Sequence, residues 1–107
     1  MRILIIDDDD LVRQSLAALL EFNGLEVIAA ADGEAGVRLA ANEPDIILCD
    51  VSMPPGMDGF AVLEAVRKQP KGLLIPFVFL TGNIDRSDQR RGMALGADDY
   101  ITKPFTE

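Results

Sequence analysis

The stretch ILIIDDDD, residues 3–10, places four apolar residues directly before four aspartates. A short, continuous run rich in β-branched residues is typical of a buried strand. Four adjacent carboxylates repel one another, so crowding them at the end of a buried strand gains nothing for folding alone. Two interpretations are open: the acids begin a helix, whose dipole favours negative charge there, or they bind a cation.

Outward from this stretch, apolar runs alternate with helical patterns along the chain. Continuous apolar runs predict further strands near residues 27–30, 46–49, 75–80 and 100–101. Apolar residues at helical spacing predict a helix after each of the first three strands, and a weaker, polar helix is predicted over about residues 85–95, after the fourth. This alternation predicts a single α/β domain, a doubly wound five-stranded parallel sheet with helices on both faces. No helix follows the fifth strand within residues 1–107, so we expect a domain that lacks most or all of its fifth helix, a fragment of a longer protein.

The composition excludes several kinds of site. The chain has no histidine and one cysteine, which excludes histidine-based catalysis, histidine-ligated zinc and cysteine-based metal sites. A metal would therefore need oxygen ligands, which indicates a hard ion such as Mg²⁺. Ten basic and eighteen acidic residues give a net charge of −8, which argues against direct binding of nucleic acid. Without a signal peptide or an apolar stretch of roughly 18 residues, we expect a cytoplasmic domain that does not enter a membrane.

Chemically useful side chains follow the predicted strands. Asp7 and Asp8 come after the first strand, Asp50 after the third, Thr81 after the fourth and Lys103 after the fifth. The carboxyl ends of parallel strands meet at one edge of the sheet, where such folds place their sites. Two carboxylates about 4 Å apart repel by roughly 4 kcal/mol at an effective dielectric constant of 20, and a divalent cation removes that repulsion. The set therefore indicates an oxygen-ligated Mg²⁺ and a phosphoryl group in transfer.

Four segments carry a resemblance to a known family. They are IIDDDD (5–10), PDIILCDVSMPPGMDG (44–59), FVFLTG (77–82) and GADDYITKPF (96–105). In this order and spacing they resemble the receiver domain of two-component response regulators. The resemblance covers essentially the whole chain and implies a flavodoxin-like fold with the strand order 2-1-3-4-5. One departure is the loop MPPGMDG, which has one residue more than the usual single-proline form, so the effect of Pro54-Pro55 on the site is open.

The resemblance implies a phosphoacceptor and a metal site. Asp50 would take a phosphoryl group from a phosphohistidine on a sensor histidine kinase or a phosphotransfer protein. Asp7 and Asp8 match the acidic pair that holds Mg²⁺ together with Asp50. The backbone carbonyl of Ser52 matches a further ligand. Mn²⁺ and Ca²⁺ are the expected substitutes for the ion.

The resemblance also implies a switch. Lys103 is expected to pair with the phosphoryl oxygens, and Thr81 to turn its hydroxyl toward the phosphoryl group. Tyr100 matches the aromatic residue that moves inward in response, so that a local change in charge biases a two-state output face. Such a domain is a signalling phosphoacceptor and not an enzyme, beyond catalysing its own Mg²⁺-dependent phosphorylation and dephosphorylation.

In that family the fourth helix and fifth strand form the output face. Here the helix carries Arg86, Arg90 and Arg91, and Asp98 and Asp99 are close in sequence. A solvated face is the simpler interpretation. Self-association of the domain through this face, with Arg–Asp pairs across a dimer, is the alternative.

The acids after the first strand also allow a rival function. The rival is a haloacid-dehalogenase-like, Mg²⁺-dependent phosphohydrolase, in which Asp7 is the nucleophile and Asp9 the second acid. The chain is short for that fold with a cap domain, and the rival leaves Asp50 and Lys103 unexplained. Asp9 and Asp10 are instead expected to begin the first helix, because acids cap a helix N-terminus and suit its dipole.

Overall fold

The computed structural model describes residues 1–82 and 86–102, except for the side chains of residues 86–88. Strands and helices alternate along these residues, with one short 3₁₀ helix before the fourth strand. The elements are β1 (Arg2–Ile6), α1 (Asp10–Phe22), β2 (Glu26–Ala30), α2 (Gly33–Ala40), β3 (Ile46–Asp50), α3 (Gly59–Arg67), the 3₁₀ helix (Gly72–Leu74), β4 (Phe77–Thr81), α4 (Arg86–Ala94) and β5 (Asp99–Thr102).

The five strands form one parallel sheet with the order β2-β1-β3-β4-β5. The predicted alternation, the parallel pairing and the strand order are therefore confirmed. The prediction about the fifth helix concerns residues from 103 onward, which lie outside the described part of the chain. Among the described residues, no helix has the length and apolar character needed to cross a membrane.

The fourth strand begins later than its apolar run predicted. The run starts at residue 75, whereas β4 begins at Phe77 and Gly72–Leu74 form the 3₁₀ helix. The amide of Ile75 donates to the carbonyl of Gly72 at 3.4 Å, so Ile75 closes this turn. Pro76 has no amide hydrogen for a strand ladder, which is why the strand begins after it.

Alternate residues of the strands fill two apolar layers, one on each face of the sheet. The layer against α1 contains the buried residues Ile3, Ile5, Leu16, Leu48, Val78 and Leu80. The layer against α2 and α3 is larger, and its buried strand residues are Leu4, Ile6, Ala30, Ile47, Cys49, Phe77 and Phe79. Helices therefore cover both faces, as a doubly wound sheet requires.

Aspartates cap the first three helices. Asp9 accepts hydrogen bonds from the amides two and three residues further on, at 2.9 and 3.2 Å. Asp32 and Asp58 likewise accept the amide three residues on, at 2.8 and 2.9 Å. A side-chain acceptor at this position satisfies an amide of the first turn that has no partner within the helix. The prediction that Asp9 and Asp10 begin the first helix is confirmed, with Asp9 as the cap and Asp10 in the first turn.

Arg67, the last residue of α3, ties together the starts of β4 and β5. Its guanidinium donates at 2.7–2.8 Å to the backbone carbonyls of Gly72, Ile75 and Gly96. Asp98 lies 3.4 Å from the same guanidinium and also accepts the amide of Phe77 at 2.8 Å. These bonds position β5, the strand that carries Tyr100.

We expect Arg67→Met to lower the free energy of unfolding by roughly 2–3 kcal/mol, because it removes a charged donor shared by several partly buried carbonyls. Urea unfolding followed by circular dichroism measures the change. Arg38→Met, at an exposed position on α2, is the matched control and should cost about 0.5 kcal/mol or less. Equal costs for the two variants would contradict the role given to Arg67.

Candidate functional site

Three aspartates meet at the carboxyl edge of the sheet. Ile6 pairs with Cys49 in the parallel register of β1 and β3. Asp7 and Asp50 directly follow these two residues in the sequence, so they lie side by side. Asp8 follows Asp7 on the way to α1. One carboxylate oxygen from each of the three aspartates lies within 4.8 Å of the other two. The structure thus brings together the three side chains that were expected to bind a metal.

The three acids differ in their access to solvent. Asp7 is fully buried, Asp50 is 8 % exposed and Asp8 is exposed. Like charges this close repel strongly, and more so where burial lowers the effective dielectric constant. A set of oxygen donors with one open side suits a hard divalent cation that keeps several waters, as Mg²⁺ does. The residues present therefore fit Mg²⁺.

Backbone and side-chain bonds hold Asp7 in place. Its amide donates to the carbonyl of Ala30 at 3.1 Å, and its Oδ1 accepts the amide of Asp9 at 2.9 Å. Arg13 on α1 donates from Nη1 to the carbonyl of Asp7 at 2.8 Å, and its Nη2 pairs with Asp10. Arg13 was not among the residues predicted from the sequence. Its signal was an arginine three residues after an acid in the first turn of α1, a spacing that also occurs on ordinary solvated helices.

The start of α3 lies against the backbone of Asp50. The amide of Gly59 donates to the carbonyl of Val51 at 2.8 Å. A Cβ on Gly59 would overlap the carbonyl oxygen of Asp50 and lie 2.9 Å from the ring of Phe79. Only glycine therefore allows this approach. The thiol of Cys49 also donates to the carbonyl of Asp50, at 3.3 Å, and Cys49 is fully buried.

The loop after Asp50 carries the remaining expected metal ligand. The amide of Ser52 lies 3.4 Å from Oδ1 of Asp50, and the side chain of Ser52 is exposed. Met53 is buried and anchors the loop to the core, and the peptide bond between Pro54 and Pro55 is cis. The role of the Ser52 carbonyl stays a prediction.

Thr81 and Tyr100 lie on the neighbouring strands. Thr81 ends β4 and is 8 % exposed, one residue beyond Leu80, the register partner of Asp50. Tyr100 on β5 is half-buried and pairs with Phe79, and the two ring centroids are 5.2 Å apart. Thr81 is therefore at the acidic edge, whereas Tyr100 lies beside the aromatic core. Their roles as switch residues stay predictions.

Lys103 lies outside the described residues. In the chain it follows Thr102, which pairs with Thr81 at the end of the sheet. Its expected contact with a phosphoryl group stays a prediction. Asp9, the second acid of the rival phosphohydrolase, caps α1 through its carboxylate.

Comparison with known sequences gives a consistent result. A family model described as the response regulator receiver domain matches residues 3–107. The alkaline phosphatase synthesis transcriptional regulatory protein PhoP of Bacillus subtilis is 41 % identical over 106 residues, which are 98 % of this chain and 43 % of that protein. The chain spans less than half the length of the curated relatives that it matches first.

Solved structures agree with the sequence matches. The chemotaxis protein CheY4 of Vibrio cholerae is similar with a TM-score of 0.93 and 35 % identity, covering 98 % of this chain and 88 % of that one. The receiver domain of the sensor histidine kinase PA1611 of Pseudomonas aeruginosa has a TM-score of 0.88 and 32 % identity, covering 98 % and 86 %. The latter structure has a magnesium ion coordinated in its active site cleft. By its sheet, its acidic edge and these matches, the chain belongs to the response regulator receiver domain family.

Proposed function

We propose that this domain is a phosphorylation-dependent signalling receiver in which Asp50 accepts a phosphoryl group from a histidine kinase or a phosphotransfer protein. The observation that carries the proposal is the meeting of Asp7, Asp8 and Asp50 within 4.8 Å at the carboxyl edge of the sheet. Membership of the receiver family supports the same function.

Asp50 would act as the nucleophile. It keeps limited access to solvent at the end of β3, and its backbone is fixed by the packing of α3. A carboxylate oxygen of Asp50 would attack the phosphorus of a phosphohistidine, forming a P–O bond. The P–N bond would break, and its electron pair would stay on the imidazole nitrogen. Because residues 1–107 contain no histidine, the phosphohistidine donor lies outside this domain.

Asp7 and Asp8 would hold Mg²⁺ together with Asp50, and the backbone carbonyl of Ser52 would be a further ligand. Mn²⁺ or Ca²⁺ could replace Mg²⁺ at this site, since both accept oxygen ligands. The bound ion would offset the negative charge of the phosphoryl oxygens. Arg13 would keep Asp7 in position through its bond to the Asp7 carbonyl.

Thr81 and Lys103 would contact the phosphoryl oxygens, and Tyr100 would report the change to the face formed by α4 and β5. The pairing of Tyr100 with Phe79, two residues before Thr81 on β4, supports this link. Self-association through the same face stays a prediction. Asp98 is engaged within the chain by Arg67 and by the amide of Phe77, so a partner would have to compete with those bonds.

The rival phosphohydrolase is not favoured by the family match. It would require Asp9 to leave the cap of α1, where its Oδ1 accepts two amide hydrogens. It would also leave Asp50 without a role in the chemistry. The two functions name different nucleophiles and can be separated by mapping the modified residue.

Mg²⁺ should stabilise the fold, because the ion binds the assembled carboxylates and not the unfolded chain. At ten times its dissociation constant it should add about 1.4 kcal/mol to the free energy of unfolding. Urea unfolding with and without MgCl₂, at ionic strength matched by NaCl, measures the effect. Asp8→Asn should remove most of this gain while leaving the metal-free protein at least as stable, because it removes a repulsion.

The control for this experiment is Glu64→Gln, which removes an exposed carboxylate on α3. It should keep the full Mg²⁺ gain. An equal gain in the Asp8→Asn and Glu64→Gln variants would show that the ion acts elsewhere and would rule out the proposed metal site.

Acetyl phosphate with Mg²⁺ should phosphorylate Asp50 alone. Reduction with borohydride converts an aspartyl phosphate to homoserine, which peptide mass spectrometry locates. We expect no modification in the Asp50→Asn variant. The control is Asp45→Asn, which removes an exposed acid before β3 and should leave the extent of modification at the wild-type level. Modification at Asp7 would establish the rival nucleophile and overturn the receiver mechanism.

A further inference from the structure

Helix α4 has little apolar surface with which to pack on the domain. Its sequence, RSDQRRGMA, is dominated by polar residues. Among its described side chains, Gln89, Arg90, Arg91, Met93 and Ala94 are exposed, and only Gly92 is buried. A helix is normally held by an apolar stripe facing the core. Other contacts must therefore position the described part of α4.

Arg91 supplies one such contact. Its guanidinium carbon lies 4.3 Å from the centroid of the Phe60 ring, which is buried at the start of α3. This geometry is that of a favourable cation–π contact. The ring of Phe60 lies 5.2 Å from that of Phe79, which in turn lies 5.2 Å from that of Tyr100. We call Phe60, Phe79 and Tyr100 the aromatic row.

Gly92 supplies the second contact. A Cβ at this position would overlap the hydroxyl of Tyr100 and lie 2.8 Å from the ring of Phe79. The absence of a side chain therefore makes the room in which Tyr100 lies beneath α4. The hydroxyl of Tyr100 donates to the carbonyl of Gln89 at 3.4 Å, one turn earlier on the same helix.

We infer that Arg91 and Gly92 are positioning residues for Tyr100: Arg91 holds α4 on the aromatic row, and Gly92 opens the space that admits the ring. The inference deepens the proposed function and rests on it for the role of Tyr100 as a switch residue. Phe60 directly follows Gly59, the residue that packs on the backbone of Asp50. Arg91 therefore holds α4 to the same end of α3 that contacts the phosphoacceptor.

The chain provides a direct probe of this position. It has one tyrosine and no tryptophan, so its tyrosine fluorescence comes from Tyr100 alone. Quenching by acrylamide reports how much of the time the ring is accessible. Loss of a cation–π contact should change the equilibrium between the packed and the solvent-accessible positions of the Tyr100 ring about two- to five-fold. We expect Arg91→Ala to raise the quenching constant accordingly.

Arg90→Ala is the matched control, because it removes the same charge from the neighbouring exposed position. It should leave quenching at the wild-type value, and Arg91→Lys should restore part of the protection lost in Arg91→Ala. Gly92→Ala should raise quenching with Arg91 intact. Combining Arg91→Ala with Gly92→Ala should raise it by less than the sum, because both changes release the same ring. Circular dichroism of each variant ensures that the ring is compared in folded protein.

Equal quenching in Arg91→Ala and Arg90→Ala would overturn the role of Arg91, and wild-type quenching in Gly92→Ala would overturn that of Gly92. These measurements need no phosphoryl donor. A failure to phosphorylate Asp50 would therefore count against the proposed function alone. A second series with beryllofluoride and Mg²⁺, with Asp50→Asn as reference, then tests the link. Wild-type protein should change its quenching on addition, and Arg91→Ala should change by less.

Discussion

The repulsion among Asp7, Asp8 and Asp50 is the constraint on which the rest of this structure depends. The parallel register of β1 and β3 places two of these residues side by side, and the chain cannot separate them without losing the ladder. Arg13 holds one backbone and the close approach of Gly59 holds the other. The backbones that carry Asp7 and Asp50 are therefore held close together. A bound cation can relieve the repulsion among the carboxylates, whereas an acyl phosphate would carry more negative charge than the carboxylate that it replaces.

The same packing that fixes the acids also links them to a distant surface. Two glycines allow close packing here: Gly59, where α3 contacts the backbone of Asp50, and Gly92, where α4 contacts Tyr100. Between them, aromatic rings at 5.2 Å spacing fill the space under α4. Tightly packed rings transmit small shifts because they cannot compress. On the inference made above, a helix with few apolar side chains of its own would move with the rings on which it lies.

The sheet and the acidic edge could be predicted, because both follow from apolar runs in the sequence and from the parallel direction of the strands. Runs of buried residues marked the strands, and parallel strands necessarily bring Asp7 and Asp50 to one edge. The contacts of Arg13, Arg67 and Arg91 could not be predicted, because an arginine on a helix usually faces solvent. Gly96 and Phe60, which Arg67 and Arg91 contact, are also distant in sequence. The 3₁₀ helix was missed for a different reason. Gly72–Leu74 form a single turn, which is too short to show a helical pattern, and Leu73 and Leu74 are 75 % and 79 % exposed.

Cys49 gives the central strand a built-in reporter. It is the only cysteine in the chain, it is fully buried, and it directly precedes Asp50 on β3. A thiol reagent can reach it only when the strand between β1 and β4 opens, so the rate of labelling measures the free energy of that opening. Occupancy of the acidic edge and the local stability of β3 are therefore thermodynamically linked. Whatever binds at the edge must slow the labelling of a side chain that it never touches.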